Sequence, residues 1–247
     1  MNHQEPKPLR LHLGCGEIYL KGYFNIDYPQ AQHSIVNIQA DQYTEIRSLV
    51  YPEGTVDEIR HHHVLEHFPR TEALALLINW RRWLKIGGLL VIETPDFEES
   101  SRDFLNAPFK KKGLYLRHIF GSNEAAWAIH YDGWFEEKYR SILGKLGFEV
   151  VKIVKMRNNL AKRVDYQLNT IFDAIAKLTP SAIKDAIGIN VIPNILCVAR
   201  KTSQDVSELK VAEEILSSYL IGKEKENQDI LRVWMEDLKK VVKISNG

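Results

Sequence analysis

The chain has 247 residues, of which 45% are hydrophobic, 26% charged and 10% aromatic, the profile of an ordinary water-soluble globular protein. Thirty-three Lys and Arg against thirty-two Asp and Glu leave a net charge of +1, which excludes the concentrated positive charge needed to grip a phosphate backbone, so no nucleic-acid partner is expected. The polar, proline-bearing start Met1–Arg10 reads as neither signal peptide nor anchor, and no run approaches the roughly 18 apolar residues of a transmembrane segment. Only Cys15 and Cys197 carry thiols, which excludes a disulfide framework and points to a cytoplasmic setting.

In chain order, short apolar runs predict seven strands: Arg10–Leu13, Tyr23–Ile26, Ser34–Ile38, Val56–His62, Leu89–Glu93, Phe148–Val154 and Asn194–Ala199. Between the fourth and fifth, Leu74, Leu77, Trp80, Arg81 and Leu84 share helical spacing, and Gly87-Gly88 stops that helix. A second helix is predicted over Glu136–Leu146, ended by Gly147. Alternating strands and helices of this kind predict an α/β doubly wound sheet. Residues 157–192 interrupt the pattern with a helical insertion. In the extension 201–247, Leu231, Trp234, Leu238 and Val241 line one face of a docked helix. These additions have two expected roles: covering the acceptor cleft, or pairing two subunits as a homodimer.

The turn Gly14-Cys15-Gly16 follows the first strand directly, where glycine lets the backbone turn tightly and approach a ligand, usually a nucleotide. The dinucleotide fingerprint would place a third glycine where Tyr19 stands. Asp27 closes the next strand, where a carboxylate can accept hydrogen bonds from both hydroxyls of a ribose. The plainer reading is a turn with a capping acid.

Five pieces in order make the chain resemble the class I S-adenosylmethionine-dependent methyltransferases: Leu11-His-Leu-Gly14-Cys-Gly16, Asn25-Ile-Asp27, Ala40-Asp41, Val56-Asp-Glu-Ile59 with His63-Val-Leu-Glu-His67, and Arg82-Trp-Leu-Lys-Ile-Gly87-Gly88 with the strand that follows. The resemblance covers about residues 9–200, within a methyltransferase domain at 1–200. It implies a seven-stranded, mostly parallel Rossmann-like sheet with the last strand antiparallel. It further implies S-adenosylmethionine as cofactor, with Gly14, Cys15 and Gly16 against the methionine part, Asp27 on the ribose, Asp41 on the adenine, and the backbone of His63 and Val64 beside the sulfonium. Two departures stand out: His12 replaces an acid common in the family, and Ile18 stands where a glycine is common. The short link between Gly16 and Asp27 resembles a subgroup of bacterial methyltransferases of surface-sugar and polysaccharide pathways.

The expected activity is O-methylation of a sugar-containing or other small-molecule hydroxyl. An imidazole is suited to take the acceptor's proton near neutral pH, and His130 is the first candidate, His67 the second. Aromatic residues from Phe97 through Phe104, Phe109, Phe120, Trp127, Tyr131 and Trp134 suit a flat amphipathic or glycan acceptor. Two alternatives remain open: a weakly active scaffold subunit, and a zinc hydrolase using His63, Glu66 and His67 of an H-x-x-E-H motif. That motif spans a strand-to-loop junction rather than one helix, so no metal is expected.

Overall fold

The computed structural model describes residues 7–29, 31, 37–158, 192–203, 205–222 and 224–242. Seven strands form one sheet in the order β3-β2-β1-β4-β5-β7-β6. They are β1 (Arg10–Leu13), β2 (Phe24–Asp27), β3 (Gln42–Tyr43), β4 (Val56–His62), β5 (Leu84–Pro95), β6 (Phe148–Asn158) and β7 (Ile192–Lys201). β1 to β5 pair in parallel, whereas β7 runs antiparallel to both β5 and β6. The seven-stranded sheet with its last strand reversed is thus present as the resemblance implied. The chain builds outward from β1 through β2 to β3, then returns to place β4 on the other side of β1. This reversal opens a crevice at the carboxyl ends of β1 and β4, the usual ligand position in open α/β sheets.

Three expectations are corrected. Gln42–Tyr43 is a strand that the periodicity did not announce; of the expected strand Ser34–Ile38, Asn37 and Ile38 are not in a strand and the rest lies outside the described residues. Two residues are too few to carry a periodic signal. Gly87 and Gly88 do not separate helix from strand. β5 begins at Leu84, and the register with β4 shifts between Val56 and Glu58, so the glycines sit inside an irregular strand start. The insertion cannot begin at Arg157 or end at Ile192, since Arg157 pairs with Pro193 and Asn158 with Ile192 in the β6–β7 ladder. The predicted helices of that insertion lie outside the described residues.

Among the described residues there are six α-helices: α1 (Arg70–Trp83), α2 (Phe97–Asn106), α3 (Phe109–Phe120), α4 (Glu136–Lys145), α5 (Glu208–Ser217) and α6 (Lys225–Val241). α1 is buried almost all round, from Ala73 to Arg81 and again at Trp83, because the sheet covers one side and the two C-terminal helices the other. Leu238 of α6 and Ala212, Ile215 and Leu216 of α5 join the main core with Trp80 and Leu77, and Leu231, Trp234 and Val241 pack against it. The tail is therefore a third layer on α1. No helix among the described residues is long and apolar enough to cross a membrane.

Arg81 explains its own place among the apolar residues of α1. Its guanidinium donates to the Leu146 carbonyl at 2.7 Å and the Ser203 carbonyl at 2.9 Å, and pairs with Glu208 at 2.7 Å. One buried guanidinium thus joins α1, the end of α4 and the start of α5 through three donors in fixed directions, which arginine provides and lysine does not. Arg81→Ala is expected to destabilise the protein by about 3 kcal/mol, because it leaves two carbonyls and half of a carboxylate without a donor in the interior. Urea unfolding checks this, and a change under about 1 kcal/mol would refute it.

Candidate active site

β1 ends in Gly14-Cys15-Gly16, and both glycines lie in the left-handed region, at φ 62° and 54°. At Gly14 a Cβ would stand 2.3 Å from Cγ2 of Val64, whereas at Gly16 it would meet nothing within 4 Å. The turn is thus closed against the end of β4 at one glycine and bare at the next. Cys15 between them is buried, its amide donating to the Ile26 carbonyl at 3.2 Å. Burial and the nearby Asp27 carboxylate push its thiol up to about 12, so it is no nucleophile.

Asp27, the last residue of β2, is buried. One carboxylate oxygen accepts from the Gly16 amide at 2.5 Å and the other from the Tyr28 amide at 2.6 Å. The carboxylate is thereby anchored to the glycine turn. Asp41 is exposed. One of its oxygens accepts from the Asn25 amide at 2.8 Å and the other from the Tyr19 hydroxyl at 2.8 Å. These donors, the Asn25 amide foremost, hold its carboxyl below the usual range.

Asn25 is the hub that sequence reading missed. Its side-chain oxygen accepts from His12 Nδ1 at 3.0 Å and the Leu20 amide at 2.9 Å, while its NH₂ donates to the Leu20 and Tyr23 carbonyls and to Asp41. His12 therefore has a structural place: burial brings it down to about 4, and the neutral ring secures Asn25.

Beyond β4, His63 has φ 53°, a conformation uncommon outside glycine. The chain then makes a single 3₁₀ turn, Leu65–His67. The H-x-x-E-H motif therefore occupies no single helix, and the zincin arrangement of His63 with His67 does not form. Instead His63 Nδ1 lies 3.1 Å from Glu66 Oε1 and its Nε2 lies 3.6 Å from Glu93. Glu66 is 1% exposed, and its Oε2 has no hydrogen-bond partner. Burial raises its carboxyl, but the His63 bond and the neighbouring imidazoles outweigh this and leave it at about 2.

His67 and His130, the two candidate bases, come together with ring centroids 4.7 Å apart. His67 Nδ1 is 3.1 Å from the Ile129 carbonyl and His130 Nδ1 is 3.0 Å from the His118 carbonyl. A carbonyl only accepts, so both rings carry their proton on Nδ1 and present Nε2 as a lone pair when neutral. Burial lowers His130 and favours that neutral form. The Tyr131 amide donates to the Glu66 carbonyl at 2.8 Å, tying the His130 loop to the 3₁₀ turn. One ligating atom from each of Glu66, His67 and His130 lies within 4.8 Å of the others. Sequence reading expected no metal-ligand set, because no spacing announces His130 beside Glu66.

The aromatic-rich segment after β5 forms the α2–α3 hairpin beside this cluster. A small cavity is lined by Glu66, Phe97, Ser100, His130, Asp132 and Trp134, among others. Three buried polar atoms of these residues lack a protein partner: Glu66 Oε2, Ser100 Oγ and Trp134 Nε1. Lys138, itself buried, holds the loop by donating to Asp132 at 2.6 Å and to the Gly133 carbonyl at 2.9 Å. The aromatics divide: Trp134 stacks on Tyr139 in the core at 5.0 Å, Phe97 lines the cavity, and Phe109 is 92% exposed. His118 is buried with Nε2 2.8 Å from the Pro193 carbonyl, and burial brings it down to about 4.

No protein-family model and no curated protein matches the chain. Solved structures of similar chain path include three described as S-adenosylmethionine-dependent methyltransferases. The one from Methanosarcina mazei is 15% identical, over 80% of this chain and 94% of that chain, with a TM-score of 0.46. The one from Archaeoglobus fulgidus is 17% identical, over 79% and 87%, with a TM-score of 0.45. The one from Mesorhizobium loti is 14% identical, over 78% and 91%, with a TM-score of 0.46. At these identities and TM-scores the likeness concerns the path of the chain alone.

Two outcomes follow from the packing. Gly14→Ala is expected to cost about 2–3 kcal/mol through positive-φ strain and the Val64 clash, and Val64→Ala in the same chain should recover part of that by making room. Denaturant titration of the four proteins forming this cycle checks it, and equal losses with and without Val64 would remove the clash from the account. Secondly, His12 and His118 at about 4 and His61 at about 3 are neutral when folded. The unfolded chain binds protons at these rings near 6.5, so their contribution is complete above that pH and is lost as pH falls toward 4. A drop of several kcal/mol, roughly 10 °C or more in Tm, is expected between pH 7 and 4.5; a flat Tm over that range would contradict it.

Proposed function

We propose that the protein is an S-adenosylmethionine-dependent methyltransferase acting on a hydroxyl of a sugar-containing or other small-molecule acceptor. The observation that carries this reading is the meeting, at the point where strand order reverses, of a bare glycine turn, a buried strand-end carboxylate and a pair of imidazoles with free Nε2 lone pairs. The site fits the cofactor in its own terms. Gly16 leaves the backbone after β1 uncovered, Asp27 is held against that turn by the Gly16 amide, and Asp41 lies next along the same sheet edge. In this reading Gly14, Cys15 and Gly16 hold the methionine part, Asp27 the ribose and Asp41 the adenine, with the backbone of His63 and Val64 at the reacting end.

When bound, the cofactor supplies a methyl group already activated on a sulfonium. The chain's own work is then to orient the acceptor oxygen and to take its proton. His130 Nε2 is the first candidate for that proton and His67 Nε2 the second. Glu66, buried beside them, stabilises a protonated imidazole by its charge. The exposed rings of Phe97 and Tyr131 beside this cluster offer apolar faces next to polar groups, the pairing of surfaces that a sugar ring presents in return. The near-neutral charge argues against a nucleic-acid acceptor, and two buried free thiols suit a cytoplasmic enzyme.

Calorimetry with S-adenosylhomocysteine, the demethylated product, tests the reading. The protein is expected to bind it, and Asp27→Asn is expected to weaken binding by about 10- to 100-fold with the fold retained by circular dichroism. Absence of binding by the folded protein would leave a methyltransferase-like scaffold in its place.

A further inference from the structure

We infer that Glu66, His67 and His130 form a site for a divalent first-row transition-metal ion, against the expectation of a metal-free protein. Four observations converge on it. The three residues come from two separate segments, the 3₁₀ turn after β4 and the loop before α4, yet bring one ligating atom each within 4.8 Å of the others. Metal bonds of about 2.0–2.2 Å would set such atoms at most roughly 4.4 Å apart, so the side chains need to close only modestly.

Both imidazoles are already held as metal-binding imidazoles usually are. Each Nδ1–H is committed to a backbone carbonyl, Ile129 for His67 and His118 for His130. That bond fixes the tautomer and the ring orientation and leaves Nε2 to ligate. The two carbonyls are themselves placed, the first by the loop tied to Glu66 through the Tyr131 amide, the second by α3.

The carboxylate supplies the third observation. Glu66 is 1% exposed, His63 engages Oε1 at 3.1 Å, and Oε2 has no hydrogen-bond partner. A buried carboxylate oxygen without a partner is costly, and coordination to a cation is one of the few ways to satisfy it. His63 thereby becomes a positioning residue for the carboxylate, which gives its unusual φ of 53° a purpose.

The fourth observation is location. Glu66 and His130 also line the cavity beneath Phe97 and Trp134, so positions on the ion not taken by protein would open toward it. Three protein ligands with open positions is the pattern of reactive rather than structural sites. Two imidazoles with one carboxylate favour ions such as Zn²⁺ or Mn²⁺ over Mg²⁺ or Ca²⁺, which prefer oxygen alone. In the methyltransferase reading, on which this last step rests, an oxygen of the acceptor occupies an open position, and His130 serves as ligand in place of base.

The test uses the full chain, stripped of metal by a chelator and then dialysed. Titration with Zn²⁺, and separately with Mn²⁺ and Mg²⁺, is expected to show one equivalent of Zn²⁺ or Mn²⁺ bound and Mg²⁺ bound far more weakly. Co²⁺ should give visible absorption bands of a low-coordinate nitrogen and oxygen site. His67→Ala and His130→Ala, both at half-buried positions, should each weaken binding by at least the ~10–100-fold that loss of an outer-shell partner costs. The Tm of each variant without metal shows that it is folded, and Glu66→Gln provides a near-isosteric third variant. No stoichiometric ion on the folded protein, or binding unchanged in both histidine variants, would overturn the site. S-adenosylhomocysteine binding measured on the same samples separates the two readings. Metal without nucleoside binding sinks the methyltransferase and leaves the site standing, whereas nucleoside binding without metal sinks the site and returns His130 to the role of base.

Discussion

The contact between Gly14 and Val64 is the constraint on which the site depends. β1 and β4 are neighbours in the sheet but are separated in sequence by two strands, and each turns away at its carboxyl end. For both turns to occupy the same crevice, one must give up its side chain, and it is Gly14 that does so, with Val64 Cγ2 filling the space. A Cβ there would push the two turns apart, and with them the distance between the glycine turn and the His63–His67 segment. The same economy appears at Gly133, where a Cβ would lie 2.6 Å from the Phe97 ring, so both walls of the crevice use glycine to bring backbone close to a neighbour.

Behind these contacts, buried polar groups set the geometry that apolar packing alone would leave loose. Asn25 joins β1, the glycine loop and Asp41 through one fully used amide. Arg81 does the same on the far side of the sheet for α1, α4 and α5. Each network carries a large penalty if half satisfied, and for that reason specifies one arrangement of its elements.

Glu66 differs from both. It is as buried as Asn25 but only half satisfied, and it stands among His63, His67 and His130 rather than among backbone donors. Natural proteins tolerate such a group chiefly where it serves chemistry. The neutral rings around it, held down by burial at His118 and His130, provide lone pairs instead of charge. Four histidines gather here, His63 with its ring centroid 6.4 Å from that of His118, and His67 4.7 Å from His130.

What the sequence determined by itself was whatever depends on neighbours a few residues away. The strands β1, β2, β4, β6 and β7, the helices α1 and α4, the glycine turn and the strand-end acid Asp27 follow from period, stop signals and backbone freedom, all local properties. Tertiary structure decided the rest. Gln42–Tyr43 becomes a strand only because β2 offers it an edge, and Arg81 sits on an apolar helix face only because the tail returns to cover it. His130 reaches Glu66 and His67 because the α2–α3 hairpin carries its loop back over the end of β4. No pattern within either segment encodes that meeting, since the energy that creates it comes from packing and hydrogen bonds between parts of the chain far apart in sequence.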